Sequence, residues 1–139
     1  MDEKRKIKEI YNCNYAIPEG EVYPLQSWYA QLINKSFEEL EVLDVLRMIR
    51  QNEFLDLAIS KAINYLKKNP FVGDMYEGEV LEKLSKLDIS YLITYIDEID
   101  NILKKALDES KTHEWLCEEE KDEFEELIKN ISKKFELKS

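Results

Sequence analysis

Leu55-Asp56-Leu57-Ala58-Ile59-Ser60-Lys61-Ala62-Ile63-Asn64-Tyr65-Leu66-Lys67-Lys68-Asn69-Pro70 is the stretch that decides the fold class. Leu55, Ala58, Ile59, Ala62, Ile63 and Leu66 recur in steps of three and four. That spacing gathers them on one face of an α-helix, whereas a strand would scatter them over two faces. The pattern predicts a helix over residues 54–68. Asn69-Pro70 ends it, because a proline pushes the residue before it out of the helical region.

Toward the N-terminus, Val42, Val45, Leu46 and Ile49 give the same period, widened by Leu43 and Met48, and predict a helix over 41–51. Ser36 and Glu39 have the spacing of a capping box. Leu25, Trp28, Tyr29, Leu32 and Ile33 predict a helix over 24–34, with Pro24 at its first position, where no N–H is needed. Residues 11–24 hold Pro18, Gly20 and Pro24 and read as an irregular segment. Its Tyr11, Tyr15 and Tyr23 are expected to pack down, and a strand-like excursion at Glu21-Val22-Tyr23 is one option. Residues 2–10 read either as a short helix or as a loose arm.

Toward the C-terminus, Phe71 to Gly78 reads as a tight loop, with Gly73 and Gly78 free to take backbone angles that other residues resist. Val80, Leu81, Leu84 and Leu87 follow on a short helix. Asp88 or Ser90 then caps one long helix to residue 108, marked by Leu92, Ile93, Ile96, Ile99, Ile102, Leu103, Ala106 and Leu107. After a looser stretch at 109–116, Phe124, Leu127, Ile128, Ile131 and Phe135 predict a last helix over 118–136. Glutamates at its start and lysines at its end suit the helix dipole. The sum is an all-α, single-domain bundle of about six helices with an irregular N-terminal segment, spanning residues 1–139. Only three glycines and three prolines occur, too little turn punctuation for a sheet protein of this length.

Composition narrows the function. Of the 139 residues, 44 % are hydrophobic, enough for a packed core despite 36 % charged residues. The net charge of −10 disfavours direct contact with nucleic acid or an anionic membrane and suits a basic partner. The same charge also serves solubility alone. The two cysteines, Cys13 and Cys117, are far apart and form no metal-ligand motif, as expected of a reducing compartment. The charged start, with no apolar run after it, does not resemble a secretory signal, so a cytoplasmic location is expected. His113 is the only histidine, and no nucleophile motif accompanies it, so a surface or capping role is expected over catalysis. No Gly-rich phosphate loop, calcium loop or zinc cluster is present, so no enzyme activity, cofactor or metal is expected.

Two features suit a binding surface. Glu118-Glu119-Glu120-Lys121-Asp122-Glu123-Phe124-Glu125-Glu126 is either a solvated helix start or a mimic of phosphate charge aimed at a basic cleft. The loop Asp74-Met75-Tyr76-Glu77 combines aromatic and acidic groups, and Tyr76 either faces a partner or packs inward.

The stretch from Ser36 to Leu87 resembles the immunity proteins of contact-dependent growth inhibition systems. The resemblance rests on Glu39-Leu40 with Asp44-Val45, then Gln51, then Ala62-Ile63 with Leu66 and Asn69-Pro70. The turn Gly73-Asp74-Met75-Tyr76-Glu77-Gly78-Glu79-Val80-Leu81 completes the set. The chain departs from the family pattern at Leu46, where arginine is usual, and at Ser60 and Glu77, where proline is common. The resemblance implies a cytoplasmic protein that binds the C-terminal toxin domain of its cognate effector; a monomer or weak dimer is expected when it is free. Many such toxins are nucleases, tRNA-cleaving ribonucleases among them, and a basic nuclease cleft matches the charge of this chain. Blocking that cleft or the active site is the implied mechanism. The contact candidates, chosen on chemistry, are Asp74, Tyr76, Glu77, Glu118, Glu119, Glu120, Asp122 and Glu123. Asp44, Gln51, Pro70, Gly73 and Gly78 are expected to serve the structure. An antitoxin or adaptor module for another basic partner fits the composition too, as does a helical subunit of a larger assembly.

Overall fold

Glu41 begins the central helix pair of the fold, seen in a computed structural model that describes residues 4–13 and 23–136. Its N–H donates to Asp44 Oδ2 at 3.0 Å, which satisfies one of the donors a helix start leaves open. The helix that follows, α3 (Val42–Gln51), stops at Asn52, which takes the left-handed conformation that asparagine tolerates. The next, α4 (Leu55–Lys68), ends at the extended Asn69 before Pro70.

Before this pair come a single turn, α1 (Ile7–Ile10), then α2 (Pro24–Leu32) and a 3-10 turn at Phe37–Glu39. After it come α5 (Glu79–Ser85), a single turn α6 (Ile89–Leu92), a 3-10 turn at Ile93–Tyr95, α7 (Ile96–Ser110) and α8 (Glu118–Glu136). Among the described residues the architecture is all-α, with six helices of seven residues or more and no strand.

Helices α3 and α4 form the middle layer, and each buries two sides. Met48, Leu57 and Ala58 face an N-terminal cluster made by Ile7, Trp28, Leu32, Ile33, Phe37 and Leu40. Val45, Ile59, Ala62, Ile63 and Leu66 face the larger cluster with α5 to α8, filled by Leu84, Leu92, Ile102, Phe124 and Ile128 among others. Full burial of each such Leu or Ile contributes about 1.5–3 kcal/mol before chain entropy is set against it. Ile49 is half-buried and touches both clusters, so the two are continuous through α3.

The expected segments match closely, with three differences. The long helix predicted from residue 88 to 108 is interrupted: Asp88 caps it, accepting from Ser90 N–H at 2.9 Å, but the chain tightens into a 3-10 turn at 93–95 before α7. The turn leaves Ile93 exposed while burying Leu92 and Ile99. Tyr23 is exposed and does not pack down, because Pro24 starts α2 immediately after it and Tyr23 sits outside the helix as its N-cap. Tyr11 rests on Phe54, ring centroids 4.7 Å apart, yet stays partly exposed. Tyr15 and the excursion at Glu21-Val22 lie outside the described residues. Of the two options for the start of the chain, α1 is a helical turn. Its Ile7 and Lys8 N–H groups donate to the carbonyls of Lys35 and Ile33.

A loop ridge between two grooves

Residues 73–78 stand as a ridge on α5, and their shape follows from a few local bonds. Gly78 N–H donates to Phe71 C=O at 2.9 Å and closes the loop. Glu79, buried at the first position of α5, accepts from the N–H groups of Asp74 (2.8 Å) and Met75 (2.9 Å) through one carboxylate oxygen. Its charge also lies at a helix start, where the dipole favours it. A side chain at Gly73 would meet Tyr76 C=O at 2.1 Å. Gly78 has φ +86°, and a Cβ there would lie 2.8 Å from the Phe124 ring of α8. Both glycines are therefore required by space, and Gly78 by backbone angle as well.

Tyr76 donates its hydroxyl to Glu82 Oε1 at 2.6 Å while the residue stays 44 % exposed. Glu77 Oε2 is 2.8 Å from His113 Nε2. His113 in turn stacks on Phe71 at 4.0 Å and meets Trp115 edge-on at 4.5 Å. The lone histidine thus ties the ridge to the segment before α8. Lys134 donates to the carbonyls of Ser85 and Leu87, fastening the far end of α8 to the end of α5.

The ridge separates two grooves. On one side Tyr76, Glu77, Gly78 and Glu82 face Glu120, Glu123, Phe124 and Leu127 of α8 across a hollow of about 170 Å³. Four carboxylates from the loop, α5 and α8 line it. On the other side Asp74 and Met75 border a larger groove toward α3.

The candidate residues are therefore divided. Tyr76, Glu77, Glu120 and Glu123 come together. Asp74 belongs to the opposite groove, and Glu118 lines a third hollow with Lys111, His113 and Lys121. Glu119 and Asp122 project from the solvent face of α8, about 100° and 160° of helix rotation away from Glu120. Sequence reasoning missed Glu79 and Glu82. The acid directly after Gly78 was visible as a helix-start signal, but Glu82 gains its place only from the path of the loop.

The residues expected to be structural are placed as follows. Asp44 is 6 % exposed and accepts from Trp28 Nε1 (3.1 Å), Lys35 Nζ (2.7 Å) and Glu41 N–H. Pro70 is buried. Gln51 is exposed at the end of α3, beside Leu25 and Tyr29 of α2.

The Tyr76–Glu82 bond gives a pH-dependent outcome. The Tyr76 hydroxyl, followed by the nearby Lys86 and Lys83, holds the Glu82 carboxyl below its ordinary range against the opposing effect of burial. Burial and the Glu82 charge push the Tyr76 phenol up. A depressed folded-state pKa contributes stability above the unfolded value, and that contribution is lost as pH falls through the folded value. The stability gap between the wild-type chain and Tyr76→Phe should therefore be largest near pH 7 and narrow below the ordinary carboxylate range. Urea unfolding at pH 7 and pH 3.5 measures it, and a gap that widens at low pH would contradict the assignment.

Among the described residues no helix is long and apolar enough to cross a membrane. No curated protein and no solved structure matches the chain. A family model described as CDI immunity proteins matches residues 9–102, which contain the central helix pair, the ridge and α5 and leave α8 outside. With more than half of its length matched, the chain belongs to the immunity proteins of contact-dependent growth inhibition systems, which neutralise a cognate toxin.

Proposed function

We propose that the protein acts in the cytoplasm on a nuclease toxin, by seating the acidic groove over the basic cleft that holds the toxin's nucleic-acid substrate. A ribonuclease that cleaves tRNA belongs to this class. The observation that carries the proposal is the convergence of Glu77, Glu82, Glu120 and Glu123 with the exposed Tyr76 on one hollow. A nuclease binds the phosphate backbone with lysines and arginines, and carboxylates set along a groove compete for the same side chains. A chain of net charge −10 would also speed encounter with such a cleft. Tyr76 supplies a large amphipathic contact of the kind that anchors tight interfaces. Inhibition is then occlusion, with no chemistry performed by the immunity protein.

The test uses Glu120→Lys with Glu123→Lys against the toxin domain encoded beside this chain. Both side chains project from α8 outside the core, so the fold should persist. Close interfacial charge pairs couple by roughly 1.5–7 kcal/mol, so reversing two should weaken binding by about 100-fold or more and abolish protection of cells expressing the toxin. Unchanged affinity with unchanged salt dependence would refute the proposal.

A further inference from the structure

The groove on the other flank of the ridge has the opposite character. It holds about 480 Å³ between α3 and α5. Its apolar lining is Leu43, Leu46, Ile49, Met75 and Leu87. Leu43 is 46 % and Met75 80 % exposed, so apolar surface lies open at both sides. Four cations line it: Arg47 and Arg50, one helical turn apart on α3, Lys83 on α5, and Lys86 directly after that helix. Among the described residues that line it, the carboxylates are Asp74 and Glu79, and Glu79 is engaged by the loop N–H groups. Lys83 and Lys86 lie 3.7 and 3.6 Å from Glu82. Among the described residues no carboxylate pairs with Arg47 or Arg50.

Among the described residues, then, two arginines without a carboxylate partner lie beside exposed leucine and methionine. Arginine presents a planar fork that matches a carboxylate, and it is favoured at interfaces. The apolar lining argues against a bare phosphate, and the overall negative field argues against a nucleic-acid strand. A short protein segment carrying Asp or Glu next to an apolar residue meets both halves of the lining.

We propose that this groove docks an acidic, partly apolar segment of the toxin, with Arg47 and Arg50 holding its carboxylates and Met75 seated against its apolar side chain. The proposal rests on the toxin being the partner of the ridge, as in the function proposed above, and adds a second contact of opposite sign. The interface is then bipolar: negative on the Glu120 flank, positive on the Arg47 flank, with residues 74–77 between them. Such an arrangement fixes orientation, because a partner turned end for end would set like charges together.

The experiment compares three forms of the full chain against the same purified toxin domain by surface plasmon resonance: wild type, Arg47→Glu with Arg50→Glu, and Glu120→Lys with Glu123→Lys. Thermal unfolding of each variant is followed in parallel, with the milder Arg47→Gln, Arg50→Gln pair as a second readout should the glutamates unsettle the end of α3. We expect the arginine reversal to weaken binding at least 10-fold and the glutamine pair several-fold, both with unfolding temperatures close to wild type. A photo-crosslinking residue at Met75 should then capture a toxin peptide rich in Asp and Glu. Wild-type affinity in both arginine variants, or capture of a basic peptide at position 75, overturns the proposal whether or not the acidic groove binds. A loss in the arginine variants with none in the glutamate variant supports this groove and removes the acidic one.

Discussion

Asp44→Ala is expected to lower the unfolding free energy by about 3 kcal/mol, with a fall of roughly 10 °C in unfolding temperature for a chain of this length. The carboxylate is nearly inaccessible and serves three donors from three places: the indole of Trp28 on α2, the ammonium of Lys35, and the N–H of Glu41 at the start of α3. Its removal leaves a buried indole N–H unpaired, a half-buried ammonium without its 2.7 Å partner, and a helix start uncapped. Hydrogen bonds to charged groups contribute about 1.5–3 kcal/mol each, but three on one carboxylate do not add, hence the smaller total. Asp44→Asn keeps an acceptor for Trp28 or for the helix start and should lose roughly half as much. Urea denaturation of the three chains separates these outcomes. A loss under 1 kcal/mol for Asp44→Ala would mean that the N-terminal layer is held by apolar packing alone.

The second large effect is expected at Gly78. Valine there must adopt φ near +86°, which costs a β-branched residue at least 1–2 kcal/mol, and must displace the Phe124 ring from 2.8 Å. Phe124 is itself buried in a ring cluster, 5.0 Å from Phe71 and 5.4 Å from Trp115. Overpacking at such a site adds about 1–3 kcal/mol, so Gly78→Val should cost about 3 kcal/mol in all. Gly78→Ala shares most of the backbone strain and should cost about 2 kcal/mol. Because the same position holds the ridge against α8, toxin affinity should fall with stability, whereas the Asp44 carboxylate bonds to Trp28, Lys35 and Glu41, none of them on the ridge, and Asp44→Ala should lower affinity less once the protein is folded. Equal loss of affinity in both variants would count against the ridge as the binding element.

Much of the fold was legible because apolar spacing is a direct projection of helix geometry. Leu55 to Leu66 could be nothing else, and Pro24 and Asn69-Pro70 supplied the punctuation. The break at 93–95 was not legible, because Leu92, Ile93, Ile96 and Ile99 keep the same three-and-four spacing on both sides of it. The candidate site was legible in kind but not in membership. The acidic run announced charge, and Phe124, Ile128 and Ile131 showed which face of α8 is buried. What was missing was the neighbour on its shoulder, a loop more than forty residues earlier that selects Glu120 and Glu123 and passes over Glu119 and Asp122. Arg47 and Arg50 were hidden for the same reason. They sit on one helix and Lys83 and Lys86 on and directly after another, and only the packing of α3 against α5 makes them one surface.

The ridge is held from beneath. Its backbone N–H groups are bound by Glu79, its turn is set by Gly73 and Gly78, and its far side rests on Phe124. None of these depends on the side chains of Asp74 or Met75, whereas Glu77 joins the ridge to His113. Mutation can therefore rewrite Asp74 and Met75 while the loop keeps its course, and a lineage can follow a changing adversary at its most prominent surface without risking the scaffold. The constraint falls instead on Glu79 and the glycines, which mark where such drift must stop.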